Sequence, residues 1–336
     1  MNTPAALDEK LAKFLKRFEA QWETEMAKLG VSQKQLLIGS RLRPQITFWG
    51  YCASLANGID PDFDYISNIS VSIEMIHKAS LVIDDWVDRD LTRHGEPTFH
   101  EEYGPENAIA NALFFVTESL SRLHQIIPSH IISPTNYYMC IGSLISALHS
   151  MSLGLLDELK LNNESIVDIE RIKHIANLET SSVIYNGMLL GYYSGGGNNS
   201  RVAAIFKVIG DQCGYLFQTM NDLEAFENAD ILKVHKGKLN YDIDLNRKNI
   251  AIAKLFSIAN SKDKQIVKNA NGEDISDLFK KYKVSLMILN EMTIVYNQIL
   301  KEIENLKEHG LTAIWIEEFS RFIWYLKSVA EKRLRK

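Results

Sequence analysis

Residues 76–88 read Ile-His-Lys-Ala-Ser-Leu-Val-Ile-Asp-Asp-Trp-Val-Asp, an apolar helical run that ends in three carboxylates. Asp84 and Asp88 are one helical turn apart and therefore neighbours on one face, and Asp85 lies beside them. Carboxylates gathered on an otherwise apolar helix repel one another unless a cation shares the site. Mg²⁺ suits such oxygen ligands and usually binds through one or two carboxylates together with substrate phosphates. The stretch therefore predicts a Mg²⁺ site; the alternative is a solvated acidic helix surface.

The helix that leads into these acids also has a core-facing side. The apolar stripe of an amphipathic helix recurs at steps of three and four residues, and here it consists of Ile66, Ile69, Ile73, Ile76, Ile83 and Val87. His77 lies seven residues before Asp84, so it shares the acidic face at a point about 10 Å deeper along the helix. We therefore expect the isoleucines in the core and His77 in the same site as the acids.

Composition restricts the class of protein. The chain has 336 residues, of which 46% are hydrophobic and seven are proline, which is typical of a soluble and mostly helical protein. A net charge of −5 and a pI near 6.0 disfavour a nucleic-acid-binding protein. No uninterrupted apolar run approaches the length of a membrane span, so no transmembrane segment is expected. Cys52, Cys140 and Cys213 are widely spaced and predict free thiols in a reducing cytoplasm.

Helical periodicity continues through most of the chain. Short breaks that carry Gly, Pro, Asn or Asp interrupt it, for example at residues 57–61, 94–97 and 194–199. No stretch alternates as a strand does before a hairpin turn, and no change of composition marks a linker. These features predict an all-α fold with minimal β structure, organised as one domain over residues 1–336.

A second polar helix face lies in residues 214–226. Gln218, Asn221, Asp222 and Ala225 fall on this face when the segment is helical. Helix bundles hold metals between side chains of facing helices, so this face and the first acidic face together predict one shared site. Taken alone, the second face is explained equally well by a buried hydrogen-bond network.

The two segments together resemble the trans-prenyl diphosphate synthase (polyprenyl synthetase) family, whose two aspartate-rich motifs face each other across a deep pocket. The resemblance begins at residues 39–44, Gly-Ser-Arg-Leu-Arg-Pro, and continues through His77 and the first acidic motif. It extends over residues 93–97 and 99–104, and it ends with the second motif and residues 237–248. It implies a single-domain helical bundle of the isoprenoid synthase type around a central pocket, and usually a homodimer.

The resemblance also implies a reaction driven by ionisation of an allylic prenyl diphosphate. The implied cofactor is Mg²⁺, with Mn²⁺ as the other candidate, and the metal would neutralise charge on the leaving diphosphate. The implied metal ligands are Asp84, Asp88, Asp222 and Asn221. The catalytic residues by resemblance are Asp84, Asp85, Asp88, Arg93 and Asp222. The implied substrate-binding residues are Arg43, His77, Arg93, Ser40, His94, Gln218, Lys238 and Lys248.

Several positions depart from the family pattern. In the expected site for isopentenyl diphosphate, Ser40 stands where the family has lysine and His94 where it has arginine. Hydrogen bonds to charged groups contribute about 1.5–3 kcal/mol each, so two losses weaken binding by roughly two to four powers of ten without compensation. Glu179 replaces a lysine, and Asn221 and Ala225 replace two aspartates of the second motif.

Three functions therefore remain open. The preferred one is a prenyl transferase that elongates an allylic diphosphate with isopentenyl diphosphate to C15–C20 or longer; by resemblance, the small Ala79 and Ser80 leave a deep pocket. The second keeps ionisation but changes the acceptor, as a terpene cyclase or a prenyltransferase with a non-isopentenyl acceptor would. The third is a non-catalytic subunit of a heteromeric synthase, against which the intact first motif argues.

Overall fold

The computed structural model describes residues 5–28, 30, 34–56, 58–126, 133–162, 168–224, 249–269 and 272–334. The helices in this part of the chain are α1 (Ala5–Lys28), α2 (Lys34–Leu37), α3 (Leu42–Ser54), α4 (Phe63–Val87), α5 (Phe99–Tyr103), α6 (Pro105–Ile126), α7 (Pro134–Asn162), α8 (Ile169–Ala176), α9 (Ser182–Ser194), α10 (Ser200–Glu224), α11 (Ile250–Ile258), α12 (Ser261–Asn269), α13 (Gly272–Lys281), α14 (Val284–Asn305) and α15 (Ala313–Leu334). A π-helix, Asn177–Ser181, joins α8 to α9, and a 3₁₀ turn, Leu306–His309, follows α14. The predicted all-α class is confirmed.

A minimal hairpin follows the acidic end of α4. Its strands β1 (Thr92–Arg93) and β2 (Glu96–Pro97) pair antiparallel, and they are the only strands among the described residues. The turn residues His94 and Gly95 have φ angles of 54° and 81°. Positive φ at both central positions is what a tight two-residue hairpin of type I′ requires. The hairpin was not predicted, because its strands are too short to show alternation.

Helix α4 is the element that carries the first acidic motif. The Asp62 carboxylate caps its first turn by accepting a hydrogen bond from the backbone N–H of Tyr65 at 3.0 Å. The first four residues of the predicted core-facing stripe, Ile66, Ile69, Ile73 and Ile76, are fully buried, which confirms this part of the stripe. Ile83 and Val87, at the acidic end, are half-buried. The helix packs against α1, α3, α6 and α9, so its acidic end is held from several sides.

Helices α3 and α9 meet at backbone contact distance. A Cβ atom on Gly191 would lie 1.9 Å from the carbonyl oxygen of Thr47, and one on Gly50 would lie 2.0 Å from that of Met188. Only glycine permits this approach. Because the π-helix runs directly into α9, the close contact also fixes the position of residues 177–181.

The main hydrophobic core draws on most of the described chain, from Phe14 on α1 to Ile323 on α15. A smaller cluster joins α7, α8 and α11 through Leu161, Ile172 and Ile250. The continuity of the main core agrees with one domain over residues 1–336, and that organisation stays a prediction.

The sequence analysis expected no transmembrane segment, but helix α7 is long and apolar enough to be a candidate for one. Its residues 134–161 have a mean hydropathy of 1.6 in the most apolar window, and 28% of that window is buried within this chain. By length and composition the helix is able to cross a membrane, although single helices of this kind also occur in the cores of soluble proteins. Tyr138, Ile145 and Leu156 are among its exposed apolar side chains.

Candidate active site

A cavity of about 720 Å³ opens among α4, α6, α7, the π-helix and α10, and the hairpin borders its mouth. This volume lies within the range of small-molecule binding sites. Both polar segments predicted from the sequence line it: Asp84 and Asp88 from α4, and Gln218, Asn221 and Asp222 from α10. The structure therefore brings the two motifs together as predicted.

The three acids of the first motif face different surroundings. Asp84 and Asp88 line the cavity, whereas Asp85 is 3% exposed and is not among the described residues that line it. The Nε atom of Arg93 donates to both carboxylate oxygens of Asp85, at 2.8 and 2.9 Å. Burial raises the pKa of Asp85 to about 6, and the Arg93 guanidinium opposes that rise. Asp85 therefore holds Arg93 in place beside Asp84, whose Oδ2 lies 3.7 Å from the guanidinium.

Further carboxylates line the cavity opposite the first motif. Glu179 on the π-helix and Glu158 on α7 join Asp222 there. The side chain of Glu179 lies against Gly154, where a Cβ would approach its Cγ to 2.4 Å. Burial, together with the negative charges of Glu158, Asp84, Asp88 and Asp222, raises the pKa of Glu179 to about 9. The cavity thus crowds acids to the point where one of them keeps its proton at neutral pH.

Asp222 is held by a chain of hydrogen bonds. The hydroxyl of Thr180 donates to the amide oxygen of Gln218 at 2.7 Å, and the Gln218 amide nitrogen donates to Oδ1 of Asp222 at 2.8 Å. The backbone N–H of Ile250 donates to Oδ2 of Asp222 at 2.6 Å. Asp222 is therefore fixed at the cavity wall, and Gln218 orients it as well as lining the cavity.

The cationic side of the cavity carries the guanidinium groups of Arg43 and Arg93, and the imidazoles of His77 and His94 lie there too. Burial first, and then the nearby guanidinium and ammonium groups, lower the pKa of His77 well below its usual value, so its imidazole is neutral at neutral pH. The Nε atom of Arg43 is buried without a hydrogen-bond partner. Such an atom is available to an anionic ligand.

The remaining wall is apolar. Small side chains of α4, Ala79 and Ser80, lie opposite α6 and α7 residues such as Ala112, Leu113 and Leu148. Because both side chains are small, no bulky group closes the cavity at this position, and the Ser80 hydroxyl is turned back to the carbonyl oxygen of His77, to which it donates at 2.8 Å. One cavity therefore combines a charged mouth with a hydrocarbon-like interior.

Some predicted site residues lie elsewhere. Ser40 is exposed and is not among the described residues that line the cavity. Lys238, Lys248 and Ala225 lie outside the described residues.

Other lining residues were missed by the sequence analysis. Glu158 and Asn249 both line the cavity, and the amide nitrogen of Asn249 is buried without a partner. The available signal for Glu158 was its helical spacing from the apolar residues Met151 and Leu155, which line the same wall.

The donor set fits a hard divalent cation that shares its coordination with a substrate. Among the described residues, no group of three or more His, Cys, Asp or Glu side chains is arranged to hold a metal by protein ligands alone. Mg²⁺ does not need such a group, because substrate phosphates and waters complete its coordination. The raised pKa of Glu179 reports the excess negative charge that a bound cation would relieve.

Two curated proteins illustrate the similarity of the sequence to known proteins. The large subunit 1 of a chloroplastic heterodimeric geranylgeranyl pyrophosphate synthase from Arabidopsis thaliana is 24% identical over 268 residues, which are 77% of this chain and 69% of that protein. A geranylfarnesyl diphosphate synthase from Methanosarcina mazei is 28% identical over 200 residues, which are 60% of each chain. The chain thus matches roughly two thirds of the length of these relatives.

The fold is shared with solved structures. The crystal structure of geranylgeranyl pyrophosphate synthase from Corynebacterium glutamicum, complexed with isoprenyl diphosphate and magnesium, superposes with a TM-score of 0.78 at 15% identity. The match covers 95% of this chain and 97% of that one.

The family model for polyprenyl synthetase matches residues 29–287, which is well over half of the chain. The match includes both polar segments and the residues 39–44 on which the resemblance rested. It also confirms the predicted enzyme class, a transferase of prenyl groups. The chain belongs to the polyprenyl synthetase family.

Proposed function

We propose that the protein elongates an allylic prenyl diphosphate with isopentenyl diphosphate in a Mg²⁺-dependent reaction. The observation that carries the proposal is that one cavity combines three environments. Carboxylates lie at its mouth, the cationic side of the cavity lies beside them, and the interior is apolar. Two diphosphates and a growing hydrocarbon chain require these three environments next to one another. Mn²⁺ is the other metal that the same oxygen ligands would accept.

The reaction begins with cleavage of the bond between C1 of the allylic substrate and its diphosphate oxygen, which keeps both electrons. Asp84 and Asp88 would hold the metal ion, which would supply neutralisation of the charge on this leaving group. Asp85 keeps the Arg93 guanidinium beside Asp84, so a fixed positive charge stands near the same diphosphate. Asp222, fixed by its own hydrogen bonds, adds a carboxylate from α10.

The double bond of isopentenyl diphosphate then attacks C1, and the new cation loses a proton to the released diphosphate to form the elongated allylic product. Arg43, neutral His77 and His94 are the groups we assign to the second diphosphate. The unpartnered Nε of Arg43 supports this assignment. The apolar wall excludes water from the cation, which favours carbon–carbon bond formation over hydrolysis.

Products of C15 to C20 or longer are the expected result. Ala79 and Ser80 leave the cavity wall open at the first turn below the acids, and apolar residues of α6 and α7 continue it. The geranylgeranyl and geranylfarnesyl products named for the two curated relatives agree with a long chain.

We also propose a cytoplasmic homodimer. The apolar side chains of Tyr138, Ile145 and Leu156 on α7 are exposed, and a second copy would cover them. The cysteines Cys52, Cys140 and Cys213 are free, as a reducing compartment requires. Sedimentation of the purified protein in buffer without detergent tests the dimer, and a requirement for detergent would favour a membrane role for α7 instead.

Product analysis by mass spectrometry tests the function. Purified protein and Mg²⁺ are combined with allylic diphosphates of C5, C10, C15 and C20, each with and without isopentenyl diphosphate. We expect elongation only when isopentenyl diphosphate is present, and its loss with a chelator. The Asp84→Ala variant should be inactive, whereas Asp64→Ala, at the opposite exposed end of the same helix, should remain active.

Other outcomes contradict the proposal in distinct ways. The protein could instead release diphosphate without isopentenyl diphosphate and form cyclic, hydrocarbon or alcohol products. That result would show that it ionises the allylic substrate but does not elongate it with isopentenyl diphosphate. No reaction in any mixture would indicate a missing acceptor or partner subunit.

A further inference from the structure

Behind the cationic side of the cavity lies a group of charges, the Glu74 cluster, made of Glu19, Arg41, Arg43, Glu74 and Lys78; the Glu19 side chain is 42% exposed. Arg41 donates to Glu19 at 2.8 Å and to Glu74 at 3.0 Å. The ammonium of Lys78 lies 3.9 Å from Glu74 Oε1, and Glu74 also attracts the guanidinium of Arg43. Glu74 is 1% exposed and Lys78 is 2% exposed.

The charges in this cluster do not balance. Three cations, Arg41, Arg43 and Lys78, face two carboxylates, Glu19 and Glu74, so one positive charge is in excess while Lys78 is protonated. Arg41 is occupied by both carboxylates and by the Leu37 carbonyl, and it does not line the cavity. Arg43 does line the cavity, so the excess charge acts on the side where His77 and His94 also lie.

Lys78 reaches the backbone that precedes α3. Its ammonium donates to the carbonyl oxygen of Ile38 at 2.6 Å. A Cβ on Gly39 would lie 3.3 Å from the same ammonium, so glycine leaves the room for this approach. The charge therefore lies directly beneath residues 38–40, where the exposed Ser40 carries none.

We infer that Lys78 is a positioning residue for the second diphosphate: from beneath residues 38–40 it supplies the positive potential that Ser40 lacks. It acts through Arg43 and the segment before α3 and does not touch the substrate. This inference rests on the proposed function and deepens it, because it identifies how the isopentenyl diphosphate site is rebuilt after the loss of a surface cation.

The surroundings of Lys78 make its charge sensitive to pH. The titratable and charged groups around it are Glu74 and His77 on α4, Arg41 and Arg43 at the start of α3, Arg93 on the hairpin, and Glu19 on α1. Burial lowers the pKa of Lys78 to about 8, Glu74 opposes this, and the three guanidinium groups add to it. As pH rises through about 8, the free protein loses this proton, and the excess positive charge disappears with it.

Calorimetric titration with isopentenyl diphosphate alone, without metal or allylic substrate, tests the inference. At pH 7 we expect Lys78→Met to bind about tenfold more weakly than wild type, which corresponds to about 1.4 kcal/mol. Lys78→Arg should bind within about threefold of wild type. Lys301→Met removes the same charge from an exposed position on α14 and should bind as wild type does. From pH 7 to pH 9, affinity should fall in wild type and stay level in Lys78→Arg.

Folding of the neutral variant is expected, because Arg41 and Arg43 then balance Glu19 and Glu74. Equal affinity of wild type and Lys78→Met would overturn the inference and leave Lys78 a structural residue. If Lys78→Met unfolds, parallel pH series for wild type and Lys78→Arg would overturn it. Absence of binding by the wild-type protein would overturn the proposed acceptor, and this inference with it.

Discussion

The crowding of carboxylates around Glu179 has a measurable effect on stability, and the Glu179→Gln substitution isolates it. The pKa of Glu179 is raised to about 9 in the folded protein, against an ordinary value of 4.5. The folded state therefore holds a proton that the unfolded state releases between these two pH values. Stability that is present below pH 4.5 is lost as pH rises towards 9, and glutamine has no such dependence.

The size of this effect follows from the shared site. Each unit of pKa difference corresponds to about 1.36 kcal/mol of stability. Because the repulsion is shared among Glu179, Glu158, Asp84, Asp88 and Asp222, we count about one unit between pH 5 and pH 8 rather than the whole difference. For a chain of this length, about 1.4 kcal/mol corresponds to roughly 2–3 °C in melting temperature.

The assay is thermal unfolding of metal-free protein at pH 5, 6, 7 and 8, repeated with Mg²⁺. Without metal, the melting temperature of wild type should fall by about 2–3 °C more than that of Glu179→Gln over this range. Mg²⁺ should reduce the difference, because a cation relieves the repulsion. Glu170→Gln, whose side chain is 77% exposed, is the matched control and should follow wild type. Parallel curves for wild type and Glu179→Gln would refute the reasoning.

Three further predictions follow from particular contacts. Gly191→Ala should lower the free energy of unfolding by at least about 2 kcal/mol in urea titrations, because its Cβ would lie 1.9 Å from the Thr47 carbonyl oxygen. Gly142→Ala has nothing within 4 Å of its Cβ and should instead stabilise α7 by about 0.5–1 kcal/mol, so equal effects would contradict the packing argument. Ser80→Phe fills the apolar wall and should shorten the longest product seen by mass spectrometry; an unchanged product would place the chain elsewhere. Asp222→Asn removes one acceptor from a fixed hydrogen-bond chain and should reduce kcat at least tenfold.

Periodicity in the sequence was sufficient to predict the helical fold and the core-facing stripe of α4. It was not sufficient for the hairpin or the π-helix, which depend on local backbone conformation over a few residues. His94 adopts a positive φ although it is not glycine, and nothing in a single sequence distinguishes it from an ordinary loop residue. The glycine contacts between α3 and α9 likewise require knowledge of which helices meet.

For the site, the sequence predicted that the two acidic segments share one cavity but not which way each acid faces. Asp84 and Asp85 are adjacent, and only the structure distinguishes the cavity-lining acid from the one that holds Arg93. Lys78 was overlooked because lysine is usually solvated. A signal was nevertheless present: Glu74 lies one turn earlier on the same apolar helix, and an acid–base pair at that spacing in a buried segment indicates an internal ion pair.

Two departures from the family pattern, Glu179 and Ser40, both change the charge around the cavity. Glu179 adds an acid to a mouth that already carries Asp84, Asp88 and Asp222, so a diphosphate is repelled there until cations are bound. Ser40 replaces a cation in the exposed segment before α3, and Lys78 supplies a charge from beneath that segment. Under the proposed function, the two sides therefore differ in how they attract a diphosphate: the acidic mouth would bind it through metal ions, and the cationic side of the cavity through the protein's own side chains. This difference is what a reaction with two diphosphates requires, because only the one that departs must be bound through metal.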